Sequence, residues 1–113
     1  MLHRDIKPDN LLLVGDDLLL NDFDVSCLTD SSDATLQSRV GTEGFWSPLW
    51  QAEQRYREVD DLASLVLSFA AMLHAPLKDH PIKRILFVAQ LPDAPQTLID
   101  TAKHIERMYD HAV

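Results

Sequence analysis

Two short apolar runs stand near the start of the chain, Leu11–Val14 and Leu18–Leu20, separated by Gly15, Asp16 and Asp17. Strand-length runs on either side of a Gly-Asp pair predict a β-hairpin. Leucine is a weaker strand former than the β-branched residues, so the turn chemistry carries most of this expectation. Residues 24–44 lack periodicity: Thr29, Asp30, Ser31, Ser32 and Asp33 are turn formers, and Gly41 and Gly44 bracket a second irregular stretch. This segment reads as loop, and a loop so long inside a compact domain is more often functional than filler. Residues 60–74 read as a helix that Asp60 or Asp61 can cap. From Leu62 to Leu73 it is apolar nearly all round, the pattern of a helix covered on every side. Pro76 and Pro81 interrupt the pattern, and Ile82, Ile85, Leu86 and Ala89 then recur at helical spacing. After Pro92 and Pro95, an amphipathic stripe of Leu98, Ile99, Ala102, Ile105 and Met108 predicts a helix from Gln96 onward.

Composition narrows the class. A length of 113 residues suits one domain or part of one, and 46% hydrophobic with 25% charged residues is ordinary for a globular chain. The net charge of −8 leaves no basic stripe to neutralise phosphates, which disfavours a nucleic-acid footprint. A single cysteine, Cys27, cannot form an internal disulfide and reads as a plain loop or small-core residue. No apolar stretch approaches the ~20 residues of a membrane span. Met1–Asp5 lacks the apolar core of a signal peptide. These features predict an intracellular, cytoplasmic protein without disulfides. Every acid in the first 33 residues is an aspartate, and they stand against only Arg4 and Lys7. That bias fits a solvated, turn-rich edge or a divalent-metal site, and composition alone favours the edge. His74, His80, His104 and His111 show no metal-ligand spacing and read as surface residues.

The densest chemistry is His3-Arg4-Asp5-Ile6-Lys7-Pro8-Asp9-Asn10. Phosphoryl transfer needs a group that takes the proton of an attacking hydroxyl, a cation near the moving phosphate, and oxygen ligands for a divalent metal. Asp5, Lys7, and the pair Asn10 and Asp22 can supply these in turn. The string resembles the catalytic loop H-R-D-x-K-x-x-N of eukaryotic-type protein kinases. Further segments resemble that family in the same order. Asp22-Phe23-Asp24 is similar to the metal-binding D-F-G, and Gly41–Leu49 to the segment G-T-x-x-Y-x-A-P-E that ends the activation loop. Asp61–Leu65 is similar to D-x-W-S-L-G, which opens the central helix of the C-terminal lobe. The resemblance runs from residue 3 to about residue 73, and the later helices are only compatible with it.

The resemblance implies an α+β, mostly helical fold: a protein kinase-like C-terminal lobe fragment with a small β-hairpin near its start. Residues 1–24 would hold the catalytic loop, hairpin and metal-binding tripeptide, 25–49 the activation segment, and 60–113 the helices of the lobe. It implies Asp5 as catalytic base with Lys7 beside it, Asn10 and Asp22 as ligands of Mg2+, and Leu12 under the adenine of ATP. His3 and Phe23 would stack in the hydrophobic column, and Asp61 would grip the catalytic-loop backbone. Lys7-Pro8 and Thr42 point to serine/threonine specificity and a protein substrate. Arg4 would receive a phosphate from the activation loop, where Ser31, Ser32, Thr35 and Ser38 are candidates.

Three departures set the expectation for activity. The catalytic loop begins at residue 3, so a Gly-rich loop, the V-A-I-K lysine and the N-terminal lobe are expected to be missing from this chain. Asp24 replaces the D-F-G glycine. Leu49 replaces the A-P-E glutamate, and no arginine partner for that position is identifiable. The expected function is that of an ATP-dependent serine/threonine protein kinase domain, incomplete and inactive as an isolated chain. The alternatives are a pseudokinase-like interaction module and a truncated remnant without catalysis.

Overall fold

In the computed structural model, the hairpin forms where the turn chemistry puts it. Strands β1 (Leu11–Val14) and β2 (Asp17–Leu20) pair antiparallel in the register Leu11↔Leu20, Leu12↔Leu19, Leu13↔Leu18 and Val14↔Asp17. Gly15 sits at φ 61°, the left-handed conformation that a two-residue hairpin turn demands. Side chains alternate faces along a strand, so Leu12 and Leu19 share one face while Leu11, Leu13, Leu18 and Leu20 share the other. Both faces are thus leucine-rich, and both remain largely exposed.

The structure describes residues 1–73, 75 and 78–112, so His74 and Pro76 lie outside it. Its helices are α1 (Asp33–Gln37), α2 (Pro48–Glu53), α3 (Glu58–Met72), α4 (Pro81–Ala89) and α5 (Gln96–Ala112). The first corrects the sequence reading, and the second falls where no element is predicted. Residues 24–44 are not all loop: the Ser32 hydroxyl accepts the Thr35 N–H and starts α1, whose Leu36 is buried. Likewise Ser47 caps α2 through the Leu49 N–H, with Pro48 in the first turn. Helices this short follow from local caps and from tertiary burial, which no periodicity announces.

The central helix α3 starts at Glu58, earlier than expected, and neither aspartate is its N-cap. Asp60 sits in the first turn and accepts the Arg57 N–H at 2.7 Å, while Asp61 reaches away to another segment. The helix is also not covered all round: Leu62 and Met72 stay about half exposed. His80, His104 and His111 are exposed, as a surface reading requires, and His80 also caps α4 through the Ile82 N–H.

Among the described residues, two apolar clusters hold these elements. The larger is built from α3, α4 and α5 around Leu49, Val66, Leu67, Ile85, Val88, Ala102 and Ile105. The smaller joins Leu2, Leu36, Trp50 and Tyr56, with Cys27 and Trp46 against it. Leu2 and Cys27 also exchange backbone hydrogen bonds of 2.7 and 3.0 Å, which seats the residues before the catalytic-type string on the smaller cluster. Cys27 is a free thiol, and no helix among the described residues is long and apolar enough to cross a membrane.

Candidate active site

The segment from His3 to Asn10 is held from below by α3. Asp61 accepts three hydrogen bonds: from the His3 N–H at 2.8 Å, the Arg4 N–H at 3.0 Å and the Tyr56 hydroxyl at 2.6 Å. Burial raises the Tyr56 pKa, and the adjacent Asp61 carboxylate raises it further, so the phenol remains a donor. The Asp61 grip coincides with a strained backbone, because Arg4 lies at φ 70°, a conformation that costs energy for a residue with a side chain.

His3 is buried and fixed at both nitrogens. Its Nδ1 accepts the Asp5 N–H at 3.1 Å, so its Nε2 carries the proton and donates to the Asn21 carbonyl at 2.9 Å. Its ring meets Phe23 edge-on, with centroids 4.9 Å apart. The Arg4 guanidinium points the other way, into the segment after the hairpin. It donates to the carbonyls of Val25 at 2.7 Å and Thr35 at 2.8 Å, and to the Ser38 hydroxyl at 3.1 Å. Of the candidate phosphate acceptors, Ser38 is therefore in direct contact with Arg4, while Ser32 caps α1 instead.

Asp5, Lys7 and Thr42 converge across a long stretch of chain. The Thr42 hydroxyl donates to Asp5 Oδ1 at 2.8 Å and accepts from Lys7 Nζ at 3.0 Å. Lys7 Nζ lies 4.0 Å from Asp5 Oδ2. One hydroxyl thereby fixes both a carboxylate and an ammonium, leaving Asp5 Oδ2 without a hydrogen bond among the described residues. Gly41 permits this approach: at φ 92°, a Cβ on it would stand 2.5 Å from the Arg4 carbonyl oxygen.

Asn10 ends a short 3-10 turn, Pro8–Asn10, and is buried. Its Nδ2 donates to the Asp5 carbonyl at 2.9 Å, which identifies the other amide atom as an available oxygen ligand. Its own carbonyl accepts the Asn21 N–H at 2.9 Å, bringing the residue before Asp22 back beside Asn10. Asp22 lies at φ 59°, and its carboxylate accepts the Asp24 N–H at 3.3 Å. Asp24 itself is not in the left-handed region, so the missing glycine imposes no strain at that residue. Leu12 sits half exposed on the hairpin.

An Asn carbonyl and an Asp carboxylate are hard oxygen donors and fit Mg2+, which uses one or two protein oxygens when phosphates and water complete its octahedron. No cage of three or more His, Cys, Asp or Glu side chains occurs among the described residues.

Sequence reasoning missed four residues that shape the site. Tyr56 and Ser64 act through single hydroxyls: Tyr56 on Asp61, and Ser64 on the Phe45 carbonyl at 2.7 Å. Asp60 is fully buried, which raises its pKa, with the Ser47 hydroxyl and the Arg57 amide and charge opposing. Arg84 is buried within α4; its one sequence signal is a cation between the apolar positions Ile82 and Ile85. Leu49, where the family motif has glutamate, is a fully buried member of the larger cluster.

A family model described as "Protein kinase domain" matches residues 1–106. The chain is similar to "Serine/threonine-protein kinase AfsK" of Streptomyces griseus, 28% identical over 124 residues, covering 99% of this chain and 15% of that protein. It is likewise similar to "Probable serine/threonine-protein kinase PkwA" of Thermomonospora curvata, 33% identical over 106 residues, covering 87% of this chain and 14% of that one. The chain spans about one-seventh of the length of these curated relatives. No solved structure matches it.

Proposed function

Because the chain belongs to the protein kinase domain family, we propose that its residues form the part of a serine/threonine protein kinase domain where acceptor hydroxyl and phosphate meet. The observation that carries this reading is the Lys7–Thr42–Asp5 cluster. Thr42 occupies Asp5 Oδ1, so Asp5 Oδ2 is the oxygen that receives the proton of a serine or threonine hydroxyl on a protein substrate. Lys7, held on the same threonine, places positive charge beside that oxygen and stabilises the transferring phosphate of ATP. Asn10 and Asp22 would hold Mg2+, which when bound neutralises charge on the phosphates. His3 and Asp61 keep the Asp5 backbone in place. In domain terms, residues 1–24 serve as catalytic loop and metal-binding segment, 25–49 as activation segment, and the helices from α3 onward as the supporting lobe.

The test is transfer of labelled phosphate from ATP to a generic Ser/Thr protein substrate. It compares the 113 residues alone with the same residues carried behind a Gly-rich nucleotide-binding lobe. The chain alone should bind Mg-ATP weakly and transfer nothing measurable, because misplacement of the phosphate by about 1 Å already costs ~100-fold. In the joined protein, Asp5→Ala should abolish transfer with nucleotide binding kept, whereas Asp22→Ala should weaken metal-nucleotide binding itself. Transfer that persists in the Asp5→Ala protein would refute the assignment. A second reading, a non-catalytic interaction module, draws on the two exposed leucine faces of the hairpin. It would be favoured if the joined protein bound Mg-ATP and transferred nothing.

A further inference from the structure

Arg84 is a buried cation that forms no ion pair among the described residues. It stands in the first turns of α4 at 4% exposure, and no carboxylate lies within 4 Å of its guanidinium among the described residues. The nearby Asp79 carboxylate pairs instead with Lys83, at 3.7 Å. Arg84 spends its donors on backbone: Nη1 on the Gly44 carbonyl at 2.8 Å and Nε on the Asp79 carbonyl at 3.1 Å. Burying a charge is costly unless it is paired or well hydrogen-bonded, and the Arg84 charge is offset by hydrogen bonds to backbone carbonyls. Here the fork ties the start of α4 to one carbonyl far away in the chain.

That carbonyl belongs to a turn. The Phe45 N–H donates to the Thr42 carbonyl at 3.1 Å, closing Thr42–Phe45, and Gly44 inside it lies at φ 96°. A Cβ on Gly44 would meet nothing within 4 Å, so the glycine is there for its backbone angle and not for space. The turn is pinned at Phe45 by Ser64 from α3 and at Gly44 by Arg84 from α4. Its first residue is Thr42, whose hydroxyl sets Asp5 and Lys7.

We infer that Arg84 is a positioning residue for the Lys7–Thr42–Asp5 cluster, fixing from α4 the turn on which Thr42 stands. The inference gives functional meaning to the cluster only under the kinase reading above, but the placement it asserts is measurable without nucleotide.

The experiment uses the full 113-residue chain with methyl-labelled threonine and 15N-labelled amides. Thr29, Thr97 and Thr101 serve as internal references for Thr42. Arg84→Met keeps the apolar stem and removes the fork. It should shift the Thr42 methyl resonance and speed Phe45 amide exchange by about tenfold, the equivalent of one lost charge-assisted hydrogen bond. Lys83→Met, an exposed change on the same helix, should move neither signal. Arg84→Lys, which keeps the charge but lacks the fork, should give an intermediate Thr42 shift, and it takes the place of Arg84→Met if that variant fails to fold. An unmoved Thr42 methyl overturns the inference, even if Phe45 exchange quickens, because Arg84 would then support the turn without setting Thr42. Loss of the kinase reading in the phosphate-transfer assay would leave these resonances untouched, so the two failures are separable.

Discussion

Replacing Asp61 tests whether the catalytic-type loop is held by α3 or only rests on it. Asp61→Ala removes the acceptor of three donors at 2.6–3.0 Å: the amides of His3 and Arg4 and the hydroxyl of Tyr56. All three donor residues are buried, at 3%, 8% and 8% exposure. Orphaning a buried donor costs about 1–3 kcal/mol, and bonds to a charged acceptor sit at the upper end. Three orphans give a nominal ~3–9 kcal/mol; water entering the space left by the carboxylate lowers this, so a loss of at least ~3 kcal/mol is expected. A whole domain has only about 5–15 kcal/mol to lose. In urea, such a loss moves the midpoint by about 1–3 M, followed by the fluorescence of Trp46 and Trp50. Tyr56→Phe removes one donor and its need together, so it should cost only about 1–2 kcal/mol. Asp61→Asn should fall between, because one carboxylate oxygen becomes an NH2 group facing other donors. Amide exchange at His3 and Arg4 supplies the site-specific check, and both should quicken in Asp61→Ala. A variant within ~1 kcal/mol of the parent, or one that loses stability while His3 and Arg4 stay protected, would refute the argument.

Gly41→Ala should destabilise the fold by roughly 2–4 kcal/mol, from the left-handed φ together with the close approach to the Arg4 carbonyl, and urea unfolding checks this. The same variant should lose the Thr42–Asp5 contact, visible as a shifted Thr42 methyl resonance. Leu49→Ala, at a fully buried position of the larger cluster, should cost about 2–5 kcal/mol by thermal or urea unfolding. Burial raises the Asp60 pKa above 3.8, so the folded state holds that proton more tightly than the unfolded state does. Its contribution to stability is therefore complete below the unfolded value and is lost as pH rises through the folded one. Asp60→Asn, which keeps an oxygen for the Arg57 N–H, should remove that slope, so the stability difference between variant and parent should shift in the variant's favour as pH rises. A difference that does not change with pH would contradict the burial argument.

The hairpin was legible because its information is local: Gly15 and Asp16 select the turn, and the turn selects the register. The helices α4 and α5 were legible from spacing alone. Helices α1 and α2 were not, because Ser32 and Ser47 look like loop residues until Leu36, Leu49 and Trp50 are seen to be buried. Among the site residues, the string from His3 to Asn10 announces itself by being contiguous. What it cannot announce is that Thr42 will lie on Asp5 and Lys7, or that Gly41 must be bare for the two segments to meet. Tyr56, Ser64 and Arg84 stayed hidden for a related reason. Each works through one hydroxyl or one fork on a distant partner, and nothing nearby in sequence marks the partner.

The unequal size of the two apolar clusters has a consequence for how the site comes apart. Among the described residues, ten buried residues hold α3, α4 and α5 together with Leu49 of α2, whereas four hold the catalytic-type string to α1 and the Trp50 side of α2. Regions with fewer buried contacts open at lower free energy than the rest of a domain. Leu2, just before the string that holds Asp5 and Lys7, belongs to the smaller cluster, while Phe45 in the turn of Thr42 packs against the larger, from which Asp61, Ser64 and Arg84 also reach. The cluster of reactive groups is therefore a seam between two units of different stability, and its assembly is an equilibrium of its own. On mild denaturation the indole environment of Trp50 should change while the helical circular dichroism persists, so the seam would part before the helices melt.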